Sequence, residues 1–151
     1  MLFRSALSGG TGPIDNVSDC DDSRVVQDAL RHMPQVIDIK AAGTAMRFMT
    51  SFLATVSGEH VITGTERMRN RPIAVLVDAL RSLGADICYE EKDGFPPLRI
   101  RGRELAGGRI SLPGNVSSQY ISSLLMVAPT LRQVIHSLTV VGVVCLFYAP
   151  K

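Results

Sequence analysis

The chain is expected to fold as an α/β or α+β domain. Helical and strand signals alternate along it, and a run of short strands is added in its second half. Hydrophobic residues make up 46% and charged residues 20% of its 151 positions, a balance that suits one folded domain with one buried core.

The elements can be read in order. Ile14 to Val17 is a short strand candidate after the turn Gly9-Gly10-Thr11-Gly12-Pro13. Asp21 or Asp22 can cap a helix with Val25, Val26, Ala29, Leu30 and Met33 on its apolar face. Pro34 is expected to end it, and Val36 to Ile39 reads as a strand. Gly43-Thr44 opens a second helix carrying Ala45, Met49, Phe52, Leu53 and Val56. Gly58 is expected to stop that helix, with Glu59 in the turn and a strand over His60 to Thr63. Pro72 suits the first turn of a helix with Ile73, Leu76, Val77, Leu80 and Leu83 inward, closed by Gly84. Short strands are expected over Asp86 to Tyr89, Leu98 to Arg101 and Arg109 to Leu112, each bounded by Gly or Pro. Ser117 or Ser118 then caps a helix with Tyr120, Ile121, Leu124, Leu125 and Ala128 inward, limited by Pro129. Asp28-Ala29-Leu30-Arg31 recurs as Asp78-Ala79-Leu80-Arg81, which suggests a doubled unit of helices and strands.

Several function classes are disfavoured. A net charge of +2 gives no global basic field of the kind that drives nucleic-acid binding. Cys20, Cys88 and Cys145 lie far apart without a CxxC pair, and fit buried small hydrophobes in a reducing compartment. His32, His60 and His136 have no metal-ligand spacing and are not expected to be catalytic. Met1 to Ser5 lacks the features of a signal peptide, and the apolar run Leu138 to Tyr148 is far shorter than the ~20 residues that span a bilayer. A soluble cytoplasmic protein without membrane or nucleic-acid partners is the expectation.

Three of the four helix starts carry chemistry. Ala41-Ala42-Gly43-Thr44-Ala45-Met46-Arg47 offers small residues and free amides to an anion, although a small-residue turn can serve packing alone. Arg67-Met68-Arg69-Asn70-Arg71-Pro72 alternates three arginines; in an extended segment they would share one side and suit phosphate or carboxylate. The bland alternative is solvated charge with Glu66 pairing one arginine. Gly114-Asn115-Val116-Ser117-Ser118-Gln119 offers hydroxyls and an amide at a helix start, an anion cradle or an ordinary serine cap. Ser122 and Ser123 read as surface or packing residues. If the three loops converge in space, they suit a phosphorylated, carboxylated metabolite.

Taken in order, these segments resemble the 5-enolpyruvylshikimate-3-phosphate synthase family. The residues that carry the resemblance are Ala42 to Arg47, Arg67 to Ile73, Leu76 to Leu80, Pro96-Pro97-Leu98, Val116 to Tyr120, Leu124-Leu125-Met126 and Ala128-Pro129. The resemblance runs from about Ala6 to Leu131. It implies an incomplete α/β domain of the enolpyruvyltransferase type, an inside-out α/β barrel of βαβαββ units with helices buried beneath sheets. It also implies transfer of the enolpyruvyl group of phosphoenolpyruvate to shikimate 3-phosphate, with no metal or organic cofactor. By resemblance Gly43 borders phosphoenolpyruvate and Arg67 binds its anionic groups. Ser117 and Ser118 hold the phosphate of shikimate 3-phosphate, Gln119 lies between the substrates as the catalytic candidate, and Arg47 and Arg71 support the site. A sister enzyme acting on UDP-N-acetylglucosamine fits the arginine loop and Ser-Ser-Gln run less well.

There are departures. Ala41 stands where the family has asparagine, and Phe48 where many members have proline. The family's opening lysine-serine motif and its second domain, with the catalytic aspartate, are expected to be missing. The chain divides into a partial N-terminal-domain unit over 1–131 and a divergent apolar segment over 132–151, which reads as a buried strand or a foreign end. Three readings follow: a transferase fragment inactive alone, a binding module for shikimate 3-phosphate, or an interaction protein using Arg67 to Arg71.

Overall fold

The computed structural model describes residues 2–10, 17–113, 116–132, 137–140 and 143–145. Its elements, in chain order, are α1 (Leu2–Leu7), α2 (Asp21–His32), β1 (Val36–Asp38), α3 (Gly43–Thr55), β2 (Gly58–Thr63), α4 (Glu66–Arg69), α5 (Ala74–Ser82), β3 (Asp86–Tyr89), β4 (Leu98–Gly102), β5 (Arg109–Leu112), α6 (Ser118–Val127), a 3₁₀ turn (Ala128–Thr130), β6 (Ser137–Val140) and β7 (Val143–Cys145).

From β1 to β4 the chain traces β-α-β-α-β-β, with the single-turn α4 inserted before α5. The resulting sheet has the order β1-β2-β4-β3; β1 and β2 are parallel and the other pairs antiparallel. A second unit begins with β5, crosses through α6 and returns as β6, parallel to β5, with β7 antiparallel beyond it. The α/β expectation therefore holds, as one βαβαββ unit and the start of another.

Strand alternation sets the layers. Ile37, Ile62, Leu98, Ile100 and Ile87 face inward and are buried. Against them lies α3, whose buried residues run from Ala45 through Ala54 without a solvent-facing stripe. Such all-round burial is the mark of a core helix. Helix α2 instead buries only Val26 and Ala29, while its acidic first turn and the end at Arg31-His32 follow the helix dipole.

The repeated Asp-Ala-Leu-Arg runs occupy matching places. In α2 and α5 the alanine is buried and the aspartate exposed. Each helix stops at a left-handed residue, Met33 at φ 40° and Gly84 at φ 99°, and then feeds a strand. The stop before β1 is thus Met33, not Pro34; Met33 N–H bonds the Ala29 carbonyl in the manner of a helix cap.

Other expectations shift. Cys20, not Asp21 or Asp22, is the N-cap of α2, and both aspartates sit in its first turn. Gly58 and Glu59 belong to β2 rather than to a turn, because α3 already ends at Thr55 and β2 pairs with β4 from Gly58↔Gly102 onward. Cys20 and Cys88 are exposed rather than buried. Cys20 accompanies the start of α2, and hydrogen bonds from Ser18 and Ser23 hold its thiol below the usual range. Cys88 lies on the outer face of β3, opposite Arg99. His60 is buried and bonds the Pro34 carbonyl at 2.9 Å, while exposed His32 bonds the Asp28 carbonyl at 3.1 Å. Helix α1 is too short to show periodicity, and it packs by placing the Phe3 ring 5.7 Å from Phe48 and 5.9 Å from Phe52. The strand expected over 14–17 lies outside the described residues except for Val17, as do Gly114, Asn115, His136 and the tail's 141–142 and 146–151. No helix is long and apolar enough among the described residues to cross a membrane.

Candidate anion-binding site

The chemically loaded segments meet. The first is the start of α3. Ala42 precedes the helix and no side chain caps it, so the amides of its first turn are open to a ligand. Gly43 is the point of closest approach: a Cβ there would lie 2.5 Å from Arg71 Nη1 and 3.1 Å from Arg47 Nη1. Two guanidinium groups therefore converge on one Cα, and a side chain at Gly43 would push the Arg71 guanidinium aside.

Arg47 is the unusual member. It is 7% exposed, and its Nη1 donates to the Gly43 carbonyl at 2.6 Å. Its Nε is buried without a hydrogen-bond partner among the described residues. Its guanidinium lies 5.4 Å from the centroid of the Tyr120 ring. That contact contributes something, but a buried cation with no counter-ion is costly to hold.

The arginine loop differs from its expected shape. Glu66–Arg69 forms a turn of helix, not an extended strip. Met68 explains this: it is 2% exposed, and its N–H and that of Arg69 both bond the Thr65 carbonyl, at 2.8 and 2.9 Å. The bias of a residue before proline acts only on Arg71, too late to straighten the segment. The arginines consequently diverge. Arg67 stands exposed on α4 with no side-chain hydrogen bond among the described residues. Arg69 pairs with Glu91 at 3.2 Å, not with Glu66. Arg71 turns to Gly43. Pro72 also precedes the helix rather than starting it, since α5 begins at Ala74 and Ile73 N–H bonds the Gly94 carbonyl at 2.9 Å.

The third segment is the start of α6. Ser117 is its N-cap, and the hydroxyl accepts from Gln119 N–H at 3.3 Å. Ser118 is the first helical residue and is exposed. Gln119 Nε2 donates to Thr44 Oγ1 at 3.0 Å, which ties α6 to α3. Tyr120 Oη donates to the Pro72 carbonyl at 2.8 Å, which ties α6 to the arginine loop. With Arg71 beside Gly43, the three segments form a closed triangle. Deeper in α6, Ser122 is exposed and Ser123 is buried, its hydroxyl bonding the Tyr120 carbonyl at 2.9 Å.

Arg47, Arg71, Gln119, Ser117, Ser118 and Gly43 thus share one region, while Arg67 borders it through its loop. Two contacts have no counterpart in the sequence pattern: the Thr44 hydroxyl, expected only as part of a helix-opening loop, and the Tyr120 hydroxyl, expected only as an inward-facing side chain. A phenol directly after Ser-Ser-Gln was the available signal for the second. The departure Phe48 points at Phe3 of α1. Among the described residues no carboxylate lies within ion-pair distance of Arg47, Arg67 or Arg71. The arrangement can hold anions. Among the described residues it contains no carboxylate or imidazole placed to move a proton near neutral pH.

The βαβαββ unit thus brings two arginines and a Ser-Ser-Gln helix start around Gly43, an arrangement whose chemistry suits anions. The chain belongs to the EPSP synthase (3-phosphoshikimate 1-carboxyvinyltransferase) family, whose model matches residues 15–146. It is 61% identical over 131 residues to a 3-phosphoshikimate 1-carboxyvinyltransferase of Bacteroides fragilis (strain YCH46), covering 87% of this chain and 32% of the relative. A protein of the same description from Sulfurovum sp. (strain NBC37-1) is 38% identical over 157 residues, covering 87% and 37%. The chain therefore spans about a third of the length of the curated relatives it matches. An EPSP synthase structure from Acinetobacter baumannii superposes with a TM-score of 0.77 at 22% identity, over 94% of this chain and 38% of that one, which shows the shared fold.

Proposed function

We propose that the protein to which this chain contributes transfers the enolpyruvyl group of phosphoenolpyruvate to a hydroxyl of shikimate 3-phosphate, releasing phosphate, in the cytoplasm. The observation that carries this reading is the closed triangle of helix starts around Arg47, a buried guanidinium without a counter-ion among the described residues. In the proposed division of labour Gly43 borders phosphoenolpyruvate, and Arg67 takes its anionic groups. Ser117 and Ser118 hold the phosphate of shikimate 3-phosphate, Gln119 sits between the substrates, and Arg47 and Arg71 support the site. Such fixed cations and dipoles stabilise charge that develops in the transition state without reorganising.

A second reading concerns the 151-residue chain by itself. Among the described residues the site offers no group to carry a proton, and this chain alone is proposed to bind without turnover. We also propose that 1–131 make up the family's unit and that 132–151 diverge from it; the pairing of β6 with β5 and the family match to residue 146 tie the beginning of that segment to the fold.

Calorimetric titration of the 151-residue chain tests the binding reading. Shikimate 3-phosphate should bind in phosphate-free buffer, and Ser117→Ala with Ser118→Ala should weaken it. No heat at millimolar ligand would overturn the assignment. Steady turnover of both substrates at an ordinary enzymatic rate would overturn the claim that this chain only binds.

A further inference from the structure

We propose that Tyr120 is a positioning residue for this site, one side chain that fixes two arginines by two different means. The inference rests on the anion-binding reading above and adds a residue to which that reading gives no role.

Three observations place Tyr120 at the centre of the triangle. It is 8% exposed, so its phenol cannot rely on bulk water for its hydrogen bonds. Its hydroxyl spends its proton on the Pro72 carbonyl at 2.8 Å, one residue beyond Arg71. Its ring lies under the Arg47 guanidinium at 5.4 Å. The two arginines fixed in this way are the ones that crowd Gly43.

The two attachments do different work. The ring holds Arg47 by attraction between the cation and the face of the π system, which leaves the guanidinium protons not given to the Gly43 carbonyl free for an anion. A carboxylate in the same place would also hold Arg47, but it would neutralise the charge. The hydroxyl anchors the backbone just after Arg71 to α6. It does so through a carbonyl that no proline constraint would otherwise fix, since proline restricts its own φ and the residue before it. The neighbouring Gln119 makes its own tie, to Thr44, so both residues after Ser118 join α6 to another corner of the site.

Two substitutions separate these roles. Tyr120→Phe keeps the ring under Arg47 and loses the tie to Pro72. Tyr120→Leu loses both. Side-chain NMR of the 151-residue chain reads the positions without any ligand. The Arg47 Nε–H and δ-proton signals should be ring-shifted in the parent chain and in Tyr120→Phe, and should lose that shift in Tyr120→Leu. Arg71 and Ile73 amide signals should move in both variants. Titration with phosphoenolpyruvate then reads the consequence. Loss of one neutral hydrogen bond should weaken binding about fivefold in Tyr120→Phe. Loss of both attachments should weaken it tenfold or more in Tyr120→Leu, about 1.4 kcal/mol. Thermal melting should show both variants folded.

A parent chain without ring-shifted Arg47 signals would overturn the proposal. So would a Tyr120→Phe variant whose Arg71 and Ile73 signals are unmoved, or Tyr120→Leu binding phosphoenolpyruvate as the parent does. Correct NMR shifts with no phosphoenolpyruvate binding in the parent chain would uphold the positioning and overturn the anion-binding reading instead.

Discussion

Two groups of arginines in this molecule are opposites. On the outer face of the four-stranded sheet, Arg99 and Arg101 are saturated with carboxylates. Arg99 bonds Glu59 at 2.8 Å and Glu90 at 2.6 Å, and Arg101 bonds Glu59 at 2.6 Å. At the helix starts, Arg47 and Arg71 crowd Gly43, Arg47 also meets a carbonyl and an aromatic ring, and neither has a carboxylate within ion-pair distance among the described residues. The first group is a solvated, self-neutralised surface. The second has charge left over for a ligand. What separates the two groups is the lack of a carboxylate partner among the described residues, not exposure, since Arg47 is the more buried.

The comparison can be broken most easily at two glycines. A Cβ on Gly102 would fall 1.6 Å from the Val56 carbonyl oxygen and 2.4 Å from that of Leu53, both backbone. Gly102→Ala should therefore destabilise the fold by about 3 kcal/mol, the upper part of the overpacking range, seen as a large drop in Tm. A Cβ on Gly43 meets instead the end of the Arg71 side chain. Gly43→Ala should leave Tm nearly unchanged and weaken phosphoenolpyruvate binding about tenfold, since one misplaced ion contact is worth more than a kcal/mol. If Gly43→Ala unfolds the protein and spares binding, the contrast between scaffold and site fails.

Arg47 offers a sharper cut. Removing a buried, uncompensated charge should not cost stability, because the fold currently bears its desolvation. Arg47→Met should melt no lower than the parent chain and should bind anions far more weakly. A marked loss of Tm would mean that Arg47 is a structural residue after all.

The smallest effect belongs to the sheet face. Hydrogen bonds from Arg99 and Arg101 hold the Glu59 and Glu90 carboxyls below their ordinary value of 4.5. A carboxylate with a depressed folded-state pKa stabilises the fold above its unfolded pKa, and that contribution is lost as pH falls. Stability should therefore be level near neutrality and decline as pH drops below about 4.5, through the lowered folded-state range. Arg99→Met should flatten that decline, with little change in Tm at pH 7 and none in anion affinity, because exposed pairs contribute little.

Much of this division was legible in the sequence, and the part that was not has physical causes. The alternation of helices and strands followed from the periods of hydrophobicity, the βαβαββ order was what the family resemblance implied, and the strands over 86–89 and 109–112 kept their expected bounds. Gly43, Arg71 and Ser117 could be picked out because glycine, arginine and serine at helix starts have local chemical reasons to be there. The shape of the arginine loop could not, because it is decided by the burial of Met68, a tertiary event. The exposure of Cys20 and Cys88 escaped for the same reason: one lies at a helix cap and the other on the outer face of an edge strand. The partner of Arg69 is Glu91, in the loop between β3 and β4, and no local rule would choose it over the adjacent Glu66.

The central claim is that three segments far apart in sequence act as one anion site. Two-dimensional NMR of the 151-residue chain during titration with shikimate 3-phosphate tests this most directly. Amides at Gly43 and Thr44, at Arg71, and at Ser117 through Tyr120 should shift together with one dissociation constant, while Arg99 and Arg101 on the sheet face stay still. Shifts confined to one helix start, or larger shifts on the sheet face than at Gly43, would contradict it.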